Sequence, residues 1–281
     1  MHMLKNITAP VASALFQRLS GPDSGFSGNY RTWDDARRDS GGYDSDIILS
    51  RVKEALLKVK DGEAAYERDS VLFDEIEYSW PLLAGLLWVA SRNGNRLNLL
   101  DFGGSLGSTY FQNRQFLQHL DELRWNIVEQ DNFVETGRSM FEDSHLRFYK
   151  NLETCITEQR PDTILLSSVI QYLEKPYDLL ADIISKGFNQ IIFDRTSFLT
   201  KGDDRITVQK VPSGIYPASY PAWFFNREKF LDFFSGSYDL ITDFDSFESF
   251  QLEDQTTRNK GFIFVKKMTP NGADKGTYAQ F

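Results

Sequence analysis

From residue 97 onward, short uninterrupted apolar runs alternate with longer stretches in which apolar positions recur every three or four residues. The runs at 97–102, 125–129, 146–149, 161–168 and 190–194 read as strands. They lack clean in–out alternation, as strands buried on both faces of a parallel sheet do. The stretches at 108–123, 132–141 and 177–184 carry helical spacing. Strand–helix alternation of this kind predicts an α/β fold with a doubly wound, Rossmann-like parallel sheet. The rhythm then breaks: a helix at about 226–234 leads to an extended segment at 238–250, a polar turn, and an apolar segment at 260–266. Two extended segments joined by a short turn predict a C-terminal antiparallel hairpin.

Ahead of the first strand the pattern is mixed. Residues 11–19 have helical spacing, and 20–30 are rich in turn formers. Phe26, Tyr30, Trp33 and Tyr43 stand in or near this loop, where they either pin it to a core or line a pocket. Helices are expected at 46–59, with Asp44 or Ser45 as the cap, at 63–72, and at 78–92, with Pro81 in the first turn and Asn93-Gly94 at the end. These helices either cap the ligand end of the sheet or pack against its edge. The expected organisation is a loop and helical cap over 1–95, a core over 96–268 with an insertion at about 197–225, and a mobile polar tail over 269–281.

Composition narrows the function classes. The chain has 281 residues, 41% hydrophobic and 14% aromatic, enough for one α/β domain with appended elements. Its 31 basic and 40 acidic residues leave a net charge of −9 with no basic run, which disfavours general nucleic-acid binding. Cys155 is the single cysteine, so a cysteine-rich metal site is excluded and a cytoplasmic protein is the simplest expectation. The longest apolar stretch, 80–90, is too short to span a bilayer. His2, His119 and His145 are scattered without ligand spacing, so no metal is expected.

Chemistry concentrates at the end of the first strand, in Asp101-Phe102-Gly103-Gly104-Ser105-Leu106-Gly107. Glycines let a turn take positive φ and let a ligand approach the backbone. A following helix turns its free N–H groups toward whatever sits there. A dinucleotide fingerprint requires G-x-G-x-x-G, and Phe102 stands where its first glycine belongs. The segment resembles the first motif of class I S-adenosylmethionine-dependent methyltransferases, acid-x-G-x-G-x-G, with Ser105 at the second glycine position. Glu129 ends the second strand, where a carboxylate accepts ribose hydroxyls in nucleotide-binding α/β proteins. Ser167-Ser168-Val169-Ile170-Gln171-Tyr172-Leu173 is similar to the strand end that flanks the methyl group in methyltransferases. The terminal hairpin is also their arrangement.

The resemblance extends over about residues 26–267. Gly42-Tyr43-Asp44-Ser45, Tyr66 through Phe73, Asp194-Arg195-Thr196, Val208 through Val211 and Tyr216 through Trp223 look like segments of a family of bacterial class I methyltransferases with unassigned substrates. The resemblance implies S-adenosylmethionine as cofactor, and it suggests an association with surface-polysaccharide biosynthesis.

Candidate residues follow. For the cofactor they are Asp101, Gly103, Gly104, Ser105, Gly107, Glu129, Gln130, Asn151, Ser167 and Ser168. Asp101 either binds cofactor or fixes the turn, and Asn151 stands where an adenine contact is expected. For chemistry they are Asp194 as a base, with Gln171, Tyr172 and Tyr216 lining the methyl position. For the acceptor they are Arg195, Gln209, Tyr220 and Trp223, in and beside an insertion whose aromatics suit a small or carbohydrate-like molecule or else merely cover the sheet. The bland reading of Asp194 and Arg195 is a pair that holds the loop, and 206–211 is alternatively a small hairpin strand. The leading expectation is methyl transfer. The alternatives are a non-catalytic nucleotide-binding or scaffold protein on the same fold and, disfavoured by the missing glycine, a nicotinamide oxidoreductase.

Overall fold

A computed structural model describes residues 24–42, 45–212 and 215–268. The expected helix at 11–19, the cap at Asp44 and the tail at 269–281 lie outside these residues.

The centre is a parallel sheet. Strands β4 (Arg96–Phe102), β5 (Glu122–Val128), β6 (Leu146–Tyr149), β7 (Thr163–Ser167) and β8 (Gln190–Leu199) stand in the order β6-β5-β4-β7-β8. Alternate residues of each strand serve different cores. Leu97 and Leu99 of β4, Leu165 of β7 and Ile192 of β8 pack with helices α2 (Ser45–Lys60), α3 (Trp80–Arg92), α4 (Ser108–Leu117) and α5 (Asp131–Met140). Leu100, Ile164, Leu166, Ile191 and Phe193 pack on the other face with α6 (Leu152–Gln159), α7 (Pro176–Lys186) and α8 (Arg227–Ser235). Burial on both faces is why these strands read as unbroken apolar runs. The doubly wound α/β expectation therefore holds.

The terminal hairpin is also present. β11 (Tyr238–Gln251) pairs antiparallel with β12 (Thr256–Lys266), and β12 runs antiparallel beside β8.

Several local expectations fail. Residues 63–72 form no helix; they hold the hairpin β2 (Tyr66–Arg68) and β3 (Val71–Phe73). Its two turn residues, Asp69 and Ser70, have φ of 51° and 69°. A two-residue turn with both φ positive matches the twist of the strands it joins. The Glu67 carboxylate accepts the Ser70 N–H at 3.2 Å, so the turn carries its own brace. The expected helix at 108–123 stops at Leu117, because β5 begins at Glu122.

The insertion at 197–225 is mostly sheet rather than one long loop, and the alternative of a hairpin strand at 206–211 holds. β8 runs on to Leu199, and β9 (Arg205–Lys210) and β10 (Ser219–Asn226) pair antiparallel. The alternation Ile206-Thr207-Val208-Gln209 gives β9 its strand character. β1 (Gly25–Tyr30), in a stretch expected to be loop, pairs with β9 at the far edge, and α1 (Trp33–Arg38) follows it. β10 joins the central sheet through Phe225 and Asn226 beside Phe198 and Leu199. Beyond the end of β7, then, the sheet continues as β8-β10-β9-β1 and walls one side of the carboxyl edge.

Candidate functional site

In an open α/β sheet the winding direction reverses where connections leave on opposite sides, and a crevice forms at the carboxyl ends there. Here the reversal lies between β4 and β7. A cavity of about 600 Å³ occupies that place. Its walls include Asp101, Gly103, Gly104 and Ser105 after β4, Glu129 and Gln130 after β5, Ser167 and Ser168 at β7, and Asp194 and Arg195 on β8. Tyr172, Gln209, Tyr216 and Tyr220 line it as well.

The glycine turn is tightly determined. Gly103 has φ of 71°, and a Cβ there would collide with Val169. A Cβ on Gly104 would strike the Asp101 carboxylate. Gly107 does not line the cavity; at φ of 103° it is the N-cap that precedes α4. The Asp101 carboxylate is 1% exposed and accepts the Trp125 Nε1–H at 3.0 Å. Burial pushes its pKa up to about 7, with neighbouring Glu129 adding to the rise. The Glu129 carboxylate accepts the Gln130 N–H at 2.6 Å and a backbone N–H of Ser105, so it bridges the first two strand ends.

Asp194 and Arg195 owe their aim to a bulge. Phe193 pairs with Phe262 and Thr196 with Lys260, so Asp194 and Arg195 together oppose Gly261 alone. An extra residue in one strand bends it and redirects its side chains. A second irregularity lies across from it. Ser246, Phe247 and Glu248 of β11 stand between the pairs Asp245–Lys260 and Ser249–Arg258, and all three line the cavity. The Ser246 hydroxyl donates to Asp194 Oδ1 and accepts the Arg195 N–H, both at 3.2 Å. Asp194 Oδ2 accepts from the Ser167 hydroxyl at 3.3 Å. Burial raises the Asp194 pKa, which the Arg195 guanidinium partly offsets.

The β2–β3 hairpin supplies residues that the helical reading of 63–72 hid. Glu67 is 1% exposed, lines the cavity, and accepts from the Ser108 hydroxyl at the start of α4. Burial pushes its pKa up to about 7. Asp69 approaches Arg195 at 3.4 Å, and Glu248 approaches Arg195 at 3.8 Å and Arg68 at 3.7 Å. The signal for the hairpin was the Asp-Ser pair between aromatic and branched residues.

Among the described residues, seven non-glycine positions have positive φ, and five of them line this cavity: Asp69, Ser70, Ser105, Ser168 and Arg195. Strained backbone concentrates at functional sites, where the surroundings over-determine it.

Besides Gly107, three expected site residues lie outside the cavity. Asn151 caps α6, its side chain accepting the Thr154 N–H at 2.9 Å. Gln171 sits beneath the wall, where its Nε2 donates to the Arg195 carbonyl at 3.0 Å and to the Ser168 hydroxyl at 3.3 Å. Trp223 donates its Nε1–H to the Leu173 carbonyl at 3.0 Å and stacks on Trp33 and Phe225. Each is used for structure where free chemistry was expected, because caps, strand pairing and ring packing claim such groups first.

No helix of the described residues is long and apolar enough to cross a membrane, and no group of three potential ligands among them is placed to hold a metal ion.

No protein-family model matches the sequence, and no curated protein does. Solved structures do show a resemblance in fold. The 1,6-didemethyltoxoflavin-N1-methyltransferase of Burkholderia thailandensis, with 1,6-didemethyltoxoflavin and S-adenosylhomocysteine bound, is 10% identical; the match covers 88% of this chain and 97% of that one, with a TM-score of 0.44. An S-adenosylmethionine-dependent methyltransferase from Clostridium acetobutylicum is 12% identical over 67% of this chain and 92% of that one, with a TM-score of 0.42. The magnesium protoporphyrin IX methyltransferase of Synechocystis, with S-adenosylhomocysteine bound, is 11% identical over 66% and 83% of the two chains, at a TM-score of 0.43. At such identities and scores the likeness decides nothing about activity.

Proposed function

We propose that the chain is an S-adenosylmethionine-dependent methyltransferase acting on a small or carbohydrate-like acceptor. The observation that carries this reading is the Asp101–Gly107 turn at the point where the winding reverses, with the Glu129 carboxylate beside it and a cavity in front. The cavity volume falls within the range of about 300–1,000 Å³ usual for small-molecule sites. The residues fit the cofactor on two counts. Gly103, Gly104 and Ser105 put the backbone of the turn on the cavity wall, and Asp101, Glu67 and Glu129 gather carboxylates where a cationic ligand would be stabilised.

In this reading Gly103, Gly104 and Ser105 hold the cofactor's amino-acid end, and Glu129 accepts hydrogen bonds from ribose hydroxyls. When bound, S-adenosylmethionine supplies an electrophilic methyl group on sulfur. The chain's own work is alignment and, where the acceptor is a hydroxyl, removal of its proton. Asp194 is suited to that role: it is 3% exposed, oriented by the Ser167 and Ser246 hydroxyls, and raised in pKa by burial. Tyr172 and Tyr216 line the same space. Gln171 acts as a positioning residue, holding the Ser168 turn to the Arg195 backbone.

Calorimetry tests the assignment. S-adenosylhomocysteine should bind and NAD should not. Silence from both leaves the scaffold reading, and binding of NAD alone restores the oxidoreductase. Glu129→Ala should weaken S-adenosylhomocysteine binding by about 1–3 kcal/mol, the cost of leaving ribose hydroxyls without their charged acceptor; an unchanged affinity would remove Glu129 from the site.

A further inference from the structure

The acceptor half of the cavity has a charge pattern that selects its ligand. Arg68 and Arg195 face Asp69 and Glu248, two guanidiniums against two carboxylates. Their contacts, at 3.4–3.8 Å, are loose and not of the close bidentate kind. These four groups therefore offset one another while hydrogen-bonding capacity is left over. Of the other charged groups nearby, Asp194 lies beside Arg195 and is held by two serine hydroxyls, Glu67 accepts from the Ser108 hydroxyl and the Ser70 N–H, and Arg37, at the rim, pairs with Asp34 at 2.5 Å. An anionic acceptor would have to displace Asp69 or Glu248 from the arginines, and a cationic one would have to displace an arginine.

A second observation concerns oxygens without partners. Ser70 Oγ, Gln209 Oε1 and Glu248 Oε2 are buried without a hydrogen bond, and all three side chains line this cavity. They come from three separate elements: the β2–β3 turn, β9 and the irregular part of β11. The terminal torsions of Gln and Glu are broad, so a small rotation turns either oxygen to a ligand. Unpartnered buried oxygens are costly, and a ligand that donates to them relieves the cost. Gln209 lies directly opposite Tyr220 in the β9–β10 pair, and Tyr220 meets Tyr172 edge to face at 5.4 Å. Directly opposite residues share a face of a sheet, so the amide and the ring act on one ligand.

We propose that this half of the cavity binds an uncharged, hydroxyl-rich acceptor, a neutral sugar unit or cyclic polyol, whose hydroxyls donate to Gln209 and Glu248 and accept from Arg195, with its carbon face against Tyr220. The assignment rests on the methyl-transfer reading and narrows its acceptor. Each hydroxyl both donates and accepts, which matches a wall of alternating guanidinium and carboxylate groups. Arg195 and Arg68 then offset Asp69 and Glu248, and neither arginine is left free to clamp an anionic group.

Titration with methyl glycosides of neutral hexoses and with myo-inositol, in saturating S-adenosylhomocysteine, tests this against the matching hexuronates and hexosamines. At least one neutral probe should bind about tenfold more tightly than its charged counterparts. Glu248→Gln, with its fold checked by thermal unfolding, should weaken the neutral probe and strengthen the hexuronate, because one guanidinium loses its counter-charge. Gln209→Ala should weaken the neutral probe without favouring either charge. Equal or tighter binding of a hexuronate or hexosamine overturns the proposal. So does the absence of binding by every neutral probe at about 50 mM, a concentration that reveals even weak sites. Should S-adenosylhomocysteine itself fail to bind, the methyl-transfer reading falls separately, and the same sugar titration without it still decides the charge preference.

Discussion

Glu67 sits among Ser108, Ser70, Asp69 and Arg195, and desolvation outweighs the hydrogen bonds it receives, so its pKa rises to about 7. Asp101 behaves alike. For both acids the folded protein holds a proton more tightly than the unfolded chain. The associated stability is full below the unfolded values, 4.5 and 3.8, and is lost as pH rises toward about 7. A ligand carrying an ammonium group favours the ionised acids, so its binding should release protons. Affinity for S-adenosylhomocysteine is expected to rise with pH through about 7 and then level. Calorimetry in two buffers of different ionisation enthalpy counts the protons released. Glu67→Gln should lower that count and flatten the decline in stability of the unliganded protein between pH 4.5 and 7. A count that does not change would mean that Glu67 does not face the cation.

At the scale of elements, the acceptor wall depends on the bulge in β8. Gly261 stands opposite Asp194 and Arg195, and a Cβ there would meet the Phe244 ring and the Phe193 carbonyl. Gly261→Ala therefore overpacks the β8–β12–β11 junction and should cost about 1–3 kcal/mol, read from the urea midpoint at constant slope. The glycine turn lies on β4, with β7 between it and β8, so affinity for S-adenosylhomocysteine should change little while neutral-sugar binding falls. Loss of both in proportion would tie the bulge to the whole site. The β2–β3 hairpin has a comparable role on the opposite wall: its turn residues place Asp69 beside Arg195 and Glu67 beside α4.

Across the whole molecule, a cluster of phenylalanines joins the central sheet to β10 and the terminal hairpin. Phe198, 2% exposed, meets Phe230 and Phe262 at 5.1 Å and Phe225 at 6.0 Å. These rings belong to β8, α8, β12 and β10, so β10 and the hairpin share one core with the parallel sheet, while the buried residues of β1 and β9 form smaller clusters of their own. Phe198→Ala should cost about 3–5 kcal/mol and preserve a single unfolding transition by fluorescence and circular dichroism. Two separated transitions would instead mark the β1–β9–β10 wall as an independent unit.

Much of this fold was legible in the sequence because its signals are local. Apolar runs of strand length, helical spacing between them and a final pair of extended segments are set by neighbouring residues. They yielded the five parallel strands, the hairpin and the acids at the strand ends. The turn at Asp101–Gly107 was readable for the same reason: glycine spacing reflects backbone conformation at that place. Tertiary structure decided the rest. The Asp194–Arg195 bulge depends on Gly261, and the Arg195 N–H reaches Ser246, 51 positions away. The charge balance of Arg68, Arg195, Asp69 and Glu248 joins the N-terminal hairpin to the C-terminal one. Trp223, Gln171 and Asn151 have side chains suited to a site, yet pairing and capping partners engage them elsewhere. A residue type states what chemistry a position can do, whereas partners distant in the chain determine whether its hydrogen bonds are already taken.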